Sequence, residues 1–371
     1  MIYADNAATT KLDIDAFEAM KPFLLDNYAN PSQSYSFSRS AKKALKEARA
    51  VIAGCIGALP EEIFFTSGGT ESDNWAIKGF LCQGDDRLTI TSKIEHHAVL
   101  NACSSIERLG FPVTFIPTNN QGVLMPETLS NSMSDRTRLV SLMMVNNEIG
   151  TIEPIAELSA IAHANGAVFH TDAVQAVGHI TVDVNEMGVD MLSASAHKFN
   201  GPKGIGFLYI RKNTDICPFH DGGSQEVGMR AGTENVAAIV GMAVALQKNC
   251  THMVETDDKL RRMERVFVST FQSAGINFIR NGAKQHVPGN INISIKDASG
   301  EMLLHRLDLK GICVSTGSAC DSVNAQVSHV IREIGVPEEY AEGTIRISFG
   351  RDNDEGDAAK VAEALINILK K

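Results

Sequence analysis

The sequence holds no Cys-x-x-Cys pair, no run of about 20 apolar residues and no excess of positive charge. Each absence removes a class of protein. Its seven cysteines, Cys55, Cys82, Cys103, Cys217, Cys250, Cys313 and Cys320, stand singly along the chain. That pattern fits a reducing compartment rather than a disulfide framework, and it offers no zinc-ligand spacing. Lys plus Arg number 34 against 44 for Asp plus Glu, a net charge of −10. Nucleic-acid binding as the main activity is therefore not expected, because neutralising phosphates needs clustered positive charge. The N-terminus, MIYADNAATT, carries no basic segment followed by an apolar run. These readings lead to the expectation of a soluble, cytoplasmic protein with no membrane span.

What is present is enough chain for more than one core. At 371 residues, 44% of them hydrophobic, the length suggests about two domains. From about residue 60 to 210, short apolar runs alternate with helical patterns: EIFFT, TESDNWAIKGF, RLTIT, a helix from near His97, RLVSLMMV, IAELSAIAHANG, AVFHT, DMLSASA and GIGFLYI. Alternation of this kind indicates βαβ units and a mostly parallel sheet covered on both faces, hence an α/β fold. NVAAIVGMAVALQKN and ETDDKLRRMERVFVSTF read as one long connecting helix. Beyond it, NINISI alternates with period two and is followed by the helix GEMLLHRLDL, the strands GICVS and TIRISF, and a last helix from EGDAAKV. The division expected is an N-terminal segment 1–14, a large domain 15–254 and a smaller α+β domain 255–371.

Candidate chemistry falls at strand ends, where open α/β sheets bind ligands. Lys198 follows DMLSASA, and a lysine there forms a Schiff base when its surroundings supply the neutral amine. Gly201, Gly204 and Gly206 allow close approach of a planar ligand, although a plain glycine-rich turn and hairpin would look the same. Ser67-Gly68-Gly69-Thr70 after EIFFT would offer backbone amides to an anion, while Thr70 with Asp73 also reads as an ordinary helix capping box. Asp172, at the end of AVFHT, suits either a pyridine nitrogen or a helix N-cap. His96 would stack on a ring, move protons or serve structure alone. Taken together, the phosphate cradle, stacking histidine, carboxylate and amine match the set of groups that pyridoxal 5'-phosphate requires.

Two further positions lie in the C-terminal part. Cys320 follows a strand in the small polar loop STGSAC and is a candidate nucleophile, whereas Cys313, inside the strand, reads as a core residue. Arg346 alternates with Ile345 and Ile347, so its side chain would leave the core face and grip a carboxylate with two parallel hydrogen bonds, unless it forms a structural ion pair.

The motifs ADNAATT (4–10), NPSQ (30–33), TSGGTESDN (66–74), EHHAVL (95–100), VNNEIGT (145–151), DAVQ (172–175), SAHKFNGPKGIG (195–206), GMRAGTENV (228–236), STGSAC (315–320) and TIRISFGR (344–351) follow in order over nearly the whole chain. In this the sequence resembles cysteine desulfurases of the NifS/IscS-like type, within the class-V aminotransferase family. The resemblance implies a fold-type-I homodimer that uses pyridoxal phosphate, converts L-cysteine to L-alanine and leaves a persulfide on Cys320. A sulfur-acceptor or iron–sulfur scaffold protein would then collect the sulfur, with Cys320 able to share a cluster transiently. It also implies roles residue by residue. Lys198 would hold the cofactor, His96 would stack on its ring, Asp172 would meet its nitrogen and Gln175 its phenolic oxygen. Gly69, Thr70, Ser195 and His197 would surround the phosphate, with Thr233 reaching the phosphate of the neighbouring subunit. Asn147 and Arg346 would hold the substrate carboxylate. The sequence departs from the family pattern at Tyr35, at Val227 and at Ala325-Gln326-Val327. Selenocysteine lyase, another class-V activity, or a non-catalytic partner in a sulfur-transfer complex are the alternatives.

Overall fold

The computed structural model describes residues 1–81, 87–317 and 327–370. After the short strand β1 (Ile2–Tyr3), helix α1 (Ile14–Leu25) begins where the Asp13 carboxylate accepts the backbone N–H of Asp15 and Ala16. Helix α2 (Arg39–Cys55) buries Ala41, Leu45, Ala48 and Ile52, a spacing that puts one apolar stripe against the core and leaves its charged residues outside. The alternating region then supplies β2 (Ile63–Thr66), α3 (Gly69–Lys78), β3 (Leu88–Ser92), α4 (His97–Arg108), β4 (Val113–Ile116), α5 (Pro126–Ser132), β5 (Thr137–Ser141), α6 (Ile155–Ala164), β6 (Val168–Asp172), β7 (Met191–Ser195) and β8 (Gly206–Ile210).

Strands β2 to β8 form one sheet in the order β2-β8-β7-β6-β5-β3-β4. Only β8 runs antiparallel to its neighbours, so the sheet is mostly parallel, as expected. Its central strands are buried on both faces, which is why β6, β7 and β8 read as near-continuous rather than alternating apolar segments. RLVSLMMV stops pairing as a regular strand at Ser141, although the N–H groups of Leu142 and Met144 still bond to the carbonyls of His170 and Asp172.

The expected long connecting helix is two helices, α7 (Val236–Thr251) and α8 (Met253–Ser273), broken at His252. The break falls in Asn-Cys-Thr-His, four residues with poor helix propensity. The chain continues through β9 (Phe278–Asn281), β10 (Asn290–Ile295), α9 (Gly300–Asp308), β11 (Ile312–Cys313), α10 (His329–Glu333), α11 (Glu338–Ala341), β12 (Thr344–Ser348) and α12 (Glu355–Leu369). Strands β12, β10 and β9 form an antiparallel sheet, and β11 pairs in parallel with β1. Their core gathers Phe267, Phe271, Ile291, Ile293, Ile345, Ile347 and Leu365, together with Ala4 from the other end of the chain.

Two cysteine expectations are corrected. Cys217 is disulfide-bonded, whereas Cys55, Cys103, Cys250 and Cys313 are free thiols. Separation along the chain does not prevent such a bond, because the Cys217 N–H bonds to the carbonyl of Gly79 and so docks at the end of α3. Cys313 is only half-buried, since Ile312 and Val314 take the core face of its strand. No helix among the described residues is long and apolar enough to cross a membrane.

Candidate functional site

A cavity of about 500 Å³ opens at the carboxyl ends of β2, β6 and β7, and Arg346 reaches it from β12. Lys198, Asp172, Gln175, Ser195, His197, His96, Gly69, Thr70, Asn147 and Arg346 all line it. Thr233 does not; it is exposed just before α7. Cys320 lies outside the described residues, as do Ala325 and Gln326.

One end of the cavity is backbone. Gly68 is the N-cap of α3 at φ +147°, and no side chain caps the helix. A Cβ on Gly69 would stand 2.6 Å from Val174 Cγ2, so a side chain there would force Val174 to move. The first N–H groups of α3 lack partners within the helix and point outward, a ready-made anion site. The Thr70–Asp73 capping box is therefore corrected: α3 starts at Gly69, and Asp73 faces inward at 1% exposure. At the same turn Glu71 accepts the N–H of Ser67 and pairs with Arg230. His197, whose Nδ1 lies 3.1 Å from Thr9 Oγ1, is pushed down to about 4 by burial and by the charges of Lys198 and Lys203. It is neutral at pH 7.

The other end is ionisable. Lys198 leaves β7 in a single tight turn, Ala196–Lys198, and its Nζ donates to the carbonyls of Ala7 at 2.7 Å and Ala8 at 2.8 Å. Asp172 accepts the Val174 N–H at 2.9 Å; burial pushes its carboxyl up to about 6, with Lys198 pulling the other way. Gln175 Nε2 donates to the Ala7 carbonyl at 2.9 Å. His96 caps α4, its Nδ1 accepting the Ala98 N–H at 3.1 Å, which assigns the ring proton to Nε2.

Arg346 is 1% exposed. Its Nη1 donates to the Asn147 carbonyl at 2.9 Å and its Nη2 to Asp5 Oδ1 at 2.8 Å, while Nε has no partner. Of the two readings of this arginine, the structure shows the ion pair, with Asp5. Ser315 exchanges backbone hydrogen bonds with Arg346, so the strand leading toward Cys320 is fixed beside the guanidinium's own strand.

Sequence reasoning missed several contributors. The carbonyls of Ala7 and Ala8 carry no side-chain mark, and Asp73 was hidden behind its capping pattern. Asp5 is the partner of Arg346, and only the burial of that arginine reveals it. Of the departures, Tyr35 is exposed, Val227 is 91% exposed at φ +58°, and Val327 packs against the cluster around Ile331.

Known proteins resemble this chain over nearly its whole length. The class-V aminotransferase family model matches residues 2–361. A protein named cysteine desulfurase IscS, from Dictyoglomus turgidum, is 48% identical over 373 residues, covering 100% of this chain and 95% of its own. Among solved structures, a NifS-like protein superposes with a TM-score of 0.94 at 35% identity, covering 100% of this chain and 99% of its own. SspA in complex with cysteine does so at 0.84 and 35% identity, over 94% of this chain and 99% of its own. The chain belongs to the class-V aminotransferase family.

Proposed function

We propose that this chain is a pyridoxal-phosphate-dependent cysteine desulfurase that converts L-cysteine to L-alanine and transfers the sulfur to Cys320. The observation that carries the reading is one cavity that joins a glycine-built anion site, a strand-end lysine, a buried carboxylate and a buried arginine. These residues fit the cofactor. The turn at Gly68 and Gly69 leaves room and unpaired N–H groups for a phosphate, with Thr70, Ser195 and His197 around it. Asp172 is placed for a protonated ring nitrogen, Gln175 for the phenolic oxygen and His96 for a ring face.

Pyridoxal phosphate supplies an aldehyde that captures an amine and a ring that stores the electron pair left on Cα. The chain does the rest. Lys198 Nζ, held by two carbonyl acceptors, takes the substrate Cα proton and returns it during turnover. Arg346 lines the cavity with Asn147 and serves as the carboxylate grip for the substrate. The Cys320 thiol gives up its proton and the thiolate attacks the substrate sulfur: an Sγ–S bond forms as the Cβ–S bond breaks, the bond's electron pair passes to Cβ, which takes up one proton in place of the one shed by Cys320, and alanine leaves.

Thr233 belongs to the phosphate site of a second copy. The exposed Leu24, Leu25, Tyr28 and Val227, the last a β-branched residue in the left-handed region, support a homodimer that covers them. Within each copy, 1–14 acts as the segment that closes the site, 15–254 as the cofactor domain and 255–371 as the domain that carries the cysteine loop. The protein acts in the cytoplasm, passing sulfur to an acceptor or iron–sulfur scaffold protein.

The deciding experiment incubates the wild type and Cys320→Ala with L-cysteine and a reductant and measures alanine. Wild type releases alanine and sulfide in equal amounts. Cys320→Ala still binds the cofactor and changes its absorption with substrate, yet makes alanine near background. Normal turnover by that variant, or turnover of selenocysteine alone, would point to a selenocysteine lyase.

A further inference from the structure

Behind Asp172 lies a polar seam that the proposed chemistry does not use. Ser141, His170, Asp172 and Ser193 occupy neighbouring register positions on β5, β6 and β7 and share one face of the sheet. His170 is fully buried, with Nδ1 2.8 Å from Ser141 Oγ and Nε2 2.9 Å from Ser193 Oγ. Helix α3 covers this face and sets Asp73 against it, beside Ser193 and lining the same cavity as Asp172. Asp73 Oδ1 has no partner, the nearest cationic candidate being His170 Nε2 at 3.8 Å.

We propose that Asp73 is a positioning residue for the ring end of the cavity: a neutral carboxylic acid, set beside the Ser193–His170–Ser141 chain, that leaves Asp172 as the one charged carboxylate on that wall. The proposal rests on the cofactor reading of Asp172. Two carboxylates in one desolvated wall do not both ionise when a single lysine faces only one of them. Of the groups around Asp73, only the Ser193 hydroxyl favours its anion. Asp172 and Glu95 are acidic, Cys103 on α4 is a buried thiol, and burial pushes His170 down to about 3, so it stays neutral. Burial, then Asp172, push the Asp73 carboxyl well above the usual range. Held neutral, Asp73 stays beside Ser193 without adding a second negative charge beside Asp172.

The test uses Asp73→Asn, which copies the neutral acid in shape and charge, and Asp73→Ala, which removes it. In the cofactor-free protein at pH 6–8, the infrared difference between wild type and Asp73→Asn should contain the carbonyl band of a protonated carboxylic acid. Absence of that band overturns the proposal. Pyridoxal phosphate affinity, measured by titration of its absorption, should stay within about threefold of wild type in Asp73→Asn and fall at least about tenfold in Asp73→Ala. Equal weakening in both variants, or none in Asp73→Ala, also overturns it. If Asp73→Ala does not fold, the infrared band and Asp73→Asn decide. Asp172→Ala separates the premises: unaltered cofactor binding there sinks the cofactor reading and leaves the infrared result on Asp73 standing.

Discussion

At the phosphate end of the cavity the chain removes side chains, at Gly68 and Gly69, while at the ring end it buries carboxyls, Asp73 and Asp172, with Glu95 close behind. A phosphate carries its own charge and needs only donors that approach closely, which bare backbone at a helix start provides. A ring nitrogen must instead be kept protonated, and that depends on a group whose ionisation is set by its surroundings. The first end is therefore sensitive to volume and the second to charge. The backbone donors of the one do not titrate; the carboxylate of the other is tuned by desolvation that pushes Asp172 up to about 6.

The comparison breaks most visibly at Lys198, which serves the ring end alone. Lys198→Ala should lower alanine formation by about 10²–10⁴-fold, the usual worth of a positioned acid–base group, while the phosphate end still retains cofactor without a covalent link. Dialysis followed by absorption spectroscopy checks both parts. Arg346→Lys keeps the charge but loses the planar donors, so kcat/KM for L-cysteine should fall by about 1–3 kcal/mol, roughly 5- to 150-fold. Cofactor affinity measured in parallel should not follow. Gly69→Ala probes the volume-sensitive end: its Cβ meets Val174 Cγ2 at 2.6 Å, and overpacking should weaken cofactor binding by about 1–2 kcal/mol, with no change in the pH dependence of the bound cofactor's absorption. The last effect, on stability and not on the site, sharpens the charge side of the comparison from outside the cavity. Glu153 accepts the Leu124 N–H, and burial pushes it up to about 8. Between about pH 4.5 and 8 the folded chain thus binds a proton that the unfolded chain has lost, so its stability contribution falls as pH rises through that window. Glu153→Gln should flatten the decline by at most about 1.4 kcal/mol per pH unit, read from urea unfolding at several pH values.

Much of this was legible because strand ends are legible. Lys198 and Asp172 stand one to three residues from the apolar runs that announce β7 and β6, and a parallel sheet puts such positions on one edge. Asp73 was misread because Thr-x-x-Asp is a true capping pattern, and a two-residue shift of the N-cap from Thr70 to Gly68 turns the aspartate from the rim to the interior. The break at His252 was lost for a similar reason: the apolar periodicity of α7 and α8 nearly agrees across it, and four weak helix formers decide the matter. The carbonyls of Ala7 and Ala8 could not be found from residue types at all, since any residue would present them.

The pairing of β1 with β11 also has a temporal consequence. Ala4 is buried in a core whose other members come from residues 260 to 368, and Ile2 aligns with Ile312. A chain emerging from the ribosome therefore makes the cofactor sheet, residues 63 to 210, long before the first residues have a place to dock. Loop closure over some three hundred residues comes last and is entropically costly. The segment just after β1 is held differently: Ala7 accepts from Gln175 and Thr10 bonds to the His197 carbonyl, both within the cofactor domain, so only the first residues wait for the C-terminal core.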